Sequence, residues 1–228
     1  MNLSTIDWQA LLLGYPVLLL SLSVHECAHA WTANRLGDPT ARLLGRVTLN
    51  PIAHIDVFGT VLFPIISILT HFPLIGWAKP VPVNLLHLKR PSRDNMLVSI
   101  AGPASNLCLA GFFFAAFAVF LSAAPEDMNR GIAQPVAIIL WHGTLVNLLL
   151  MLFNLIPIHP LDGSHVLEHF LPYEARQMYN QARQFGFIAI LLLFYLGLTG
   201  LVFRPVIGFV NSLIMLLPGH EKLFTWLT

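Results

Sequence analysis

The chain of 228 residues carries 12 Lys and Arg against 11 Asp and Glu, so only 10% of it is charged, while 56% is hydrophobic. An ordinary soluble domain is about 25% charged; with a mean hydropathy of +0.72, the composition excludes disorder, a disulfide scaffold and a conventional soluble enzyme, and points to a chain embedded in lipid. The net charge of +1 leaves no basic face for nucleic acid, and Cys27 and Cys108 both lie in apolar stretches, where a stabilising disulfide is not expected.

Charges bound the membrane elements. The first uncharged run lies between Asp7 and Glu26, and the second between Asp56 and Lys79. Residues 95–125 and 131–161 follow, each 31 residues long, and then 184–203 and 205–220. A spanning helix needs about 20 apolar residues. These runs predict an all-α integral membrane protein, a polytopic bundle of about five to six membrane elements in one domain, 1–228. Between them, residues 36–56 read as turns around a short strand, Arg46–Asn50, and Lys79–Asn84 (Lys-Pro-Val-Pro-Val-Asn) cannot be helical. Residues 164–183 predict an amphipathic surface helix after Pro172.

The chemistry begins at His25-Glu26-Cys27-Ala28-His29. On a helix, i and i+4 differ by about 40° in direction and about 6 Å in height, so His25 and His29 can reach one metal ion. Glu26 is turned about 100° away and can address a water instead. The spacing suits zinc, with Glu26 as general base. Chance matches to such a pattern are common, but ionisable groups inside a membrane helix cost about 2.5–3.5 kcal/mol on insertion scales, which favours a function over ornament. Cys27 points away from the His pair.

Catalytic zinc needs a third protein ligand. Asp162 stands out, because it follows the 131–161 run behind Pro157 and Pro160, which end the helix, and beside Gly163, which would allow a sharp turn. Competing candidates are Asp56 beside His54, and His159, His165 and His169. The pair His165 and His169 has the i,i+4 spacing, but no Glu follows His165, and the two read as ordinary surface or supporting residues.

Three separated motifs resemble the site-2 protease family of intramembrane zinc metalloproteases: His25-Glu26-x-x-His29, Gly102-Pro103-x-x-Asn106, and Asn154-x-x-Pro157-x-x-x-x-Asp162-Gly163. The resemblance implies a catalytic core of about 8–163, followed by an amphipathic helix and membrane helices over 164–228. It implies one zinc on His25, His29 and Asp162, with Glu26 activating water, Asn154 bonding the scissile peptide or its oxyanion, and Asn106 supporting the core. The segment Trp77–Asn84, with Lys79, Pro80 and Pro82, looks like the family's Pro-x-Pro loop, which is associated with substrate. His159 departs from the residue type common at its position. The implied substrates are transmembrane proteins, whose helical carbonyls must unwind before attack. Arg46, Val47 and Thr48 could pair with the unwound backbone by strand addition; Lys79–Asn84 suits this less, because prolines remove donors. Both segments could instead merely cap helices.

Topology follows from parity. His29 and Asp162 must face the same side, so 57–78 is expected to be re-entrant or to return to its starting face, forming with Arg46–Asn50 a short re-entrant strand and loop region. Ten cations (Arg35, Arg42, Arg46, Lys79, Lys89, Arg90, Arg93, Arg176, Arg183 and Lys222) then share the zinc side against Arg130 and Arg204. That bias places the active site toward the cytoplasm of a multi-pass protein in the cell or inner membrane. Two other functions fit parts of the pattern: a divalent-metal transporter, for which no repeated halves are visible, and a catalytically inactive binder of membrane segments, which would have no need of Glu26.

Overall fold

The computed structural model describes residues 8–64, 77–125 and 131–223, and among these the chain is all helical, with no strand. Helix α1 spans Trp8–Leu36 and a single-turn α2 spans Thr40–Leu43. A 3₁₀ turn at Pro51–His54 and a π-helical turn at Val57–Leu62 follow. The long helices α3 (Pro91–Ala123) and α4 (Ala133–Asn154) come next. Two short helices, α5 (Asp162–Phe170) and α6 (Tyr173–Gln181), lead into α7 (Gly186–Tyr195) and α8 (Thr199–Ile214).

Helices α3 and α4 are long and apolar enough to cross a membrane, and the α6–α7 stretch with α8, bent by 60°, would make a third. Their large exposed side chains, such as Leu107, Phe112 and Val119 on α3 and Ile188 and Leu191 on α7, are what a lipid solvent leaves unpenalised. Helices α1, α3 and α4 pack on one another, and α5 lies against α3. One end of the α3–α4 pair is filled by Phe117, Leu121, Ala124, Ala133, Ala137 and Ile214, with Trp141 packed against them. Higher up, the ring of Phe113 lies flat where a side chain at Gly143 would stand, so the two helices approach closely at that level.

Four expectations change. Arg46–Asn50 forms no strand; its polar groups are taken locally instead. The amide of Asn50 donates to Thr48 Oγ1 at 3.2 Å, His54 Nε2 donates to the Thr48 carbonyl at 2.9 Å, and the Arg46 guanidinium donates to the Ala53 carbonyl. Side-chain bonds of this kind compete with ladder formation. Gly163 makes no sharp turn but sits in the first turn of α5, where a Cβ would run into the carbonyl of Leu155; its role is close approach. Lys222 moves to the other face, because its Nζ donates to the Ala124 carbonyl at 2.6 Å at the C-terminal end of α3. The runs 184–203 and 205–220, read as two membrane elements, form one bent pair. The core of 57–78 lies outside the described residues, but its two ends meet. Lys79 N donates to His54 O at 2.8 Å and Trp77 N to Gly59 O at 3.3 Å, with the Trp77 ring 5.0 Å from that of Phe63.

Candidate metal centre

Two helices each present an i,i+4 stripe to a common point, and a third adds one side chain. Helix α1 offers Ser21, His25 and His29, and α3 offers the Val98 carbonyl, Gly102 and Asn106; α4 brings Asn147 beside them. His25 and His29 are buried at 4% and 7% exposure. The first turn of α5 then delivers Asp162, whose Oδ2 lies 3.2 Å from His25 Nε2 and 3.3 Å from His29 Nε2. The two Nε2 atoms are 3.0 Å apart.

Hydrogen bonding decides what these atoms are. His29 Nδ1 lies 2.7 Å from the carbonyl of Val98, an acceptor only, so Nδ1 carries the proton and the ring in its neutral form presents its lone pair at Nε2. His25 Nδ1 donates to Asn106 Oδ1 at 2.6 Å, with the same consequence. Asp162 Oδ2 is buried and has no hydrogen-bond donor. Two imidazole lone pairs and a carboxylate oxygen therefore converge without a proton of their own, which is costly unless a cation sits among them. Tetrahedral bonding at about 2.0–2.1 Å would set the ligand atoms about 3.3 Å apart, close to the distances seen. The donor set, two neutral imidazoles and one carboxylate, fits zinc. Among the described residues this is the one group of three or more metal-binding side chains whose donor atoms lie within 4.8 Å of one another. Gly102 forms the wall facing it: a Cβ there would stand 2.6 Å from His25 Nε2 and closer still to His29 Nε2.

Glu26 flanks the cluster without joining it. Its Oε2 accepts from Val81 N at 3.0 Å, the one N–H between Pro80 and Pro82. The extended strap 79–84 is thus pinned at Lys79, at Val81, and again at Asn84, whose N–H donates to Asp38 Oδ2 at 2.7 Å. Asp38 is fully buried and also accepts from Thr40 N at 3.0 Å, from the Thr40 hydroxyl at 2.5 Å and from His87 Nδ1 at 3.1 Å. Burial pushes its carboxyl up, but these hydrogen bonds prevail and hold it below the ordinary carboxylate range. Lys79 and Pro80 are exposed on the strap, and Pro82 and Val47 are half-buried. The Thr48 backbone approaches the Cys27 side chain, so this part of Arg46–Thr48 lies against α1 at the level of Cys27.

The remaining candidates have other partners. Asp56 Oδ1 caps the π-turn, accepting from Phe58 N at 3.1 Å and Gly59 N at 2.8 Å. His159 is buried, bonds the Ser164 hydroxyl through Nδ1 at 2.9 Å and packs on His165 and Tyr179; burial, reinforced by Arg183, pushes its pKa down and keeps the ring neutral. His169 Nδ1 meets the Ser92 hydroxyl at 2.9 Å, and His165 Nδ1 lies 3.7 Å from Glu168. Asn154 Nδ2 donates to the Leu150 carbonyl of its own helix at 2.9 Å. Sequence reasoning missed Ser21, Asp38, Val81 and Asn147. Asn147 carried a signal: it lies in the 131–161 uncharged run, seven residues and thus two turns before Asn154.

The model of peptidase family M50 matches residues 14–138 and 124–198. YwhC of Bacillus subtilis, named as a candidate zinc metalloprotease, is 42% identical over 197 residues that make up 84% of each chain. Rip2 of Mycobacterium tuberculosis strain H37Rv, named in the same way, is 33% identical over 181 residues, 77% of this chain and 64% of Rip2. Rip2 of Mycolicibacterium smegmatis is 29% identical over 180 residues, covering 77% and 63%. The chain thus spans just under two thirds of the Rip2 proteins. No solved structure matches it.

Proposed function

The chain belongs to peptidase family M50, and on that premise we propose that it is a zinc-dependent intramembrane endopeptidase that hydrolyses peptide bonds in or near the transmembrane segments of membrane-protein substrates. The observation that carries this reading is the meeting of His25 Nε2, His29 Nε2 and Asp162 Oδ2 at 3.0–3.3 Å beside a carboxylate that stays outside the cluster. Those three atoms would hold one zinc ion. Zinc in such a site acidifies water toward a pKa of about 7 and polarises a peptide carbonyl.

The protein's own groups do the rest. Glu26 takes the proton of the attacking water and returns it to the departing amine. Its Oε2 is oriented by Val81 N–H, which leaves the other oxygen for the water. Gly102 supplies the space above the imidazoles. Asn154, released from the Leu150 carbonyl, donates to the scissile peptide or its oxyanion, worth about 10²–10³ in rate for a positioned donor. The segment Arg46, Val47 and Thr48, together with Lys79, Pro80 and Pro82, flanks the site where the unwound substrate backbone would lie.

His29 stands six residues before Arg35, about 9 Å along α1, which puts the chemistry below the lipid surface. Taking α1 as a further crossing beside α3, α4 and the bent α7–α8 pair gives four crossings in a single domain, 1–228, and the meeting of Lys79 with His54 supports a returning segment over 57–78. With Lys222 moved, this reading keeps nine cations on the zinc side, a bias that supports a cytoplasmic active site. Family membership gives the transporter reading no support.

The test is cleavage of a single-span substrate in reconstituted vesicles. Wild type cleaves, whereas Glu26→Gln binds zinc yet loses about 10²–10⁴ in rate. Undiminished cleavage by Glu26→Gln, or by chelator-stripped wild type, refutes the proposal.

A further inference from the structure

Behind the imidazoles runs a buried polar chain that the motifs account for only at Asn106. Asn106 and Asn147 are fully buried, as is Ser21. Asn147 Nδ2 donates to the Gly143 carbonyl at 2.8 Å and to Ser21 Oγ at 2.9 Å, and the Ser21 hydroxyl itself donates to the Val17 carbonyl at 2.8 Å. On its other side, Asn147 Oδ1 accepts from Asn106 Nδ2 at 2.8 Å, and Asn106 Oδ1 accepts from His25 Nδ1 at 2.6 Å.

The direction of every bond in this chain is forced from its far end. Main-chain carbonyls are acceptors only. Gly143 O therefore requires an N–H from Asn147, and Val17 O takes the proton of Ser21, leaving the Ser21 oxygen to accept. Both contacts assign the Asn147 NH₂ group to that side and its carbonyl oxygen to Asn106. Asn106 must then turn its NH₂ group toward Asn147, an orientation that a long 3.5 Å contact from Asn106 Nδ2 to the Ser21 carbonyl reinforces, and its oxygen toward His25. His25 must answer with Nδ1–H, which leaves its Nε2 lone pair facing His29 and Asp162. His29 reaches the same state in one step, through the Val98 carbonyl. In a membrane interior an inverted amide would leave two donors, or two acceptors, face to face, with no water to relieve them.

We propose that Asn147 is a positioning residue that sets the tautomer of His25, and with it the affinity for zinc, by transmitting the polarity of the Gly143 and Val17 carbonyls through Asn106. This rests on the reading of His25 as a zinc ligand. Its distinguishing feature is asymmetry: the relay serves His25, and His29 is independent of it. Partners behind metal-bound histidines are typically worth 10- to 100-fold in metal affinity.

The test uses full-length, zinc-loaded protein in detergent, labelled with ¹⁵N-histidine, and two variants. Asn147→Leu fills the same space and removes the polarity. Asn147→Asp keeps an acceptor oxygen toward Asn106 in either protonation state. In wild type both Nδ1 protons give strongly hydrogen-bonded, slowly exchanging signals. In Asn147→Leu the His25 Nδ1–H signal moves upfield or exchanges away, the His29 signal stays, and zinc dissociates about 10- to 100-fold more readily by chelator competition. Asn147→Asp keeps the His25 signal and holds zinc within about threefold of wild type. Should Asn147→Leu fail to fold, loss of the His25 signal in Asn147→Asp overturns the proposal and its retention supports it. An unmoved His25 signal in Asn147→Leu, or equal loss at both histidines, overturns the proposal. Wild type that binds no zinc sinks the metal reading instead and is recognised before any variant is compared.

Discussion

Replacing Gly102 with Ala adds one methyl group to the wall of the metal centre. The new Cβ would lie 2.6 Å from His25 Nε2 and Cε1 and nearer still to His29 Nε2, whereas ordinary contact begins at 3.4 Å. At least about 0.8 Å of movement is required, and zinc–ligand distances tolerate only about ±0.2 Å. The rings cannot yield freely, because each is tied at Nδ1, His25 to Asn106 and His29 to Val98. The helix backbone of α3 cannot retreat without opening its packing against α1 and α4, a strain of about 1–3 kcal/mol. The expected outcome is a folded protein, its midpoint of unfolding lowered, whose zinc affinity falls at least about 100-fold, or about 2.7 kcal/mol. Zinc content after gel filtration and competition with a chromogenic chelator measure the affinity, and circular dichroism during heating measures the fold. A Gly102→Ala protein that retains one zinc with wild-type affinity would refute the placement of the two Nε2 atoms.

Asp38 governs the acid limb of stability. Its folded carboxyl lies below the unfolded value of about 3.9, so its contribution is fully present above that value and is lost as pH falls through the folded one. Asp38→Asn therefore flattens the acid unfolding profile below about pH 4 and loosens the 79–84 strap, read as faster amide exchange at Val81 and Asn84; an unchanged acid limb contradicts the role. Gly186→Ala drives a Cβ into the His159 carbonyl, which should cost about 1–3 kcal/mol while leaving zinc binding intact, and a parallel loss of zinc would show that α7 matters to the site. Cysteines at Arg93 and Lys222 should be labelled from opposite sides of the membrane, the first from the cytoplasm, and same-side labelling would overturn the four-crossing topology.

The convergence of His25, His29 and Asp162 was legible because its chemistry is local. His25 and His29 are four residues apart on one helix, and Asp162 follows a proline-broken end that only a buried site tolerates. Asn106 was legible only through the resemblance. What stayed hidden depends on juxtaposition across helices. Nothing in the sequence tells that Gly102 faces two imidazoles rather than lipid, since Gly111, nine residues later, faces open space. Asn147 could have been flagged as one of three amides, with Gln134 and Asn154, in a 31-residue uncharged run, yet its direction of bonding needed Ser21 and Gly143 beside it. The strand at Arg46–Asn50 was misread because alternation of polar and apolar residues signals a strand only where a neighbour offers a ladder, and here Thr48 and His54 satisfy the backbone first. Counting uncharged runs puts Lys222 on the zinc side, and the bend between α7 and α8 breaks the count.

Zinc stoichiometry of the purified full-length chain tests the convergence of α1 and α5 most directly. Wild type and Glu26→Gln are expected to hold one zinc per chain, and Asp162→Ala and His25→Ala are expected to lose it to a chelator that leaves the other two unaffected. An Asp162→Ala protein that keeps its zinc as tightly as wild type would contradict the meeting of that carboxylate with the two imidazoles, and with it the hydrolytic reading.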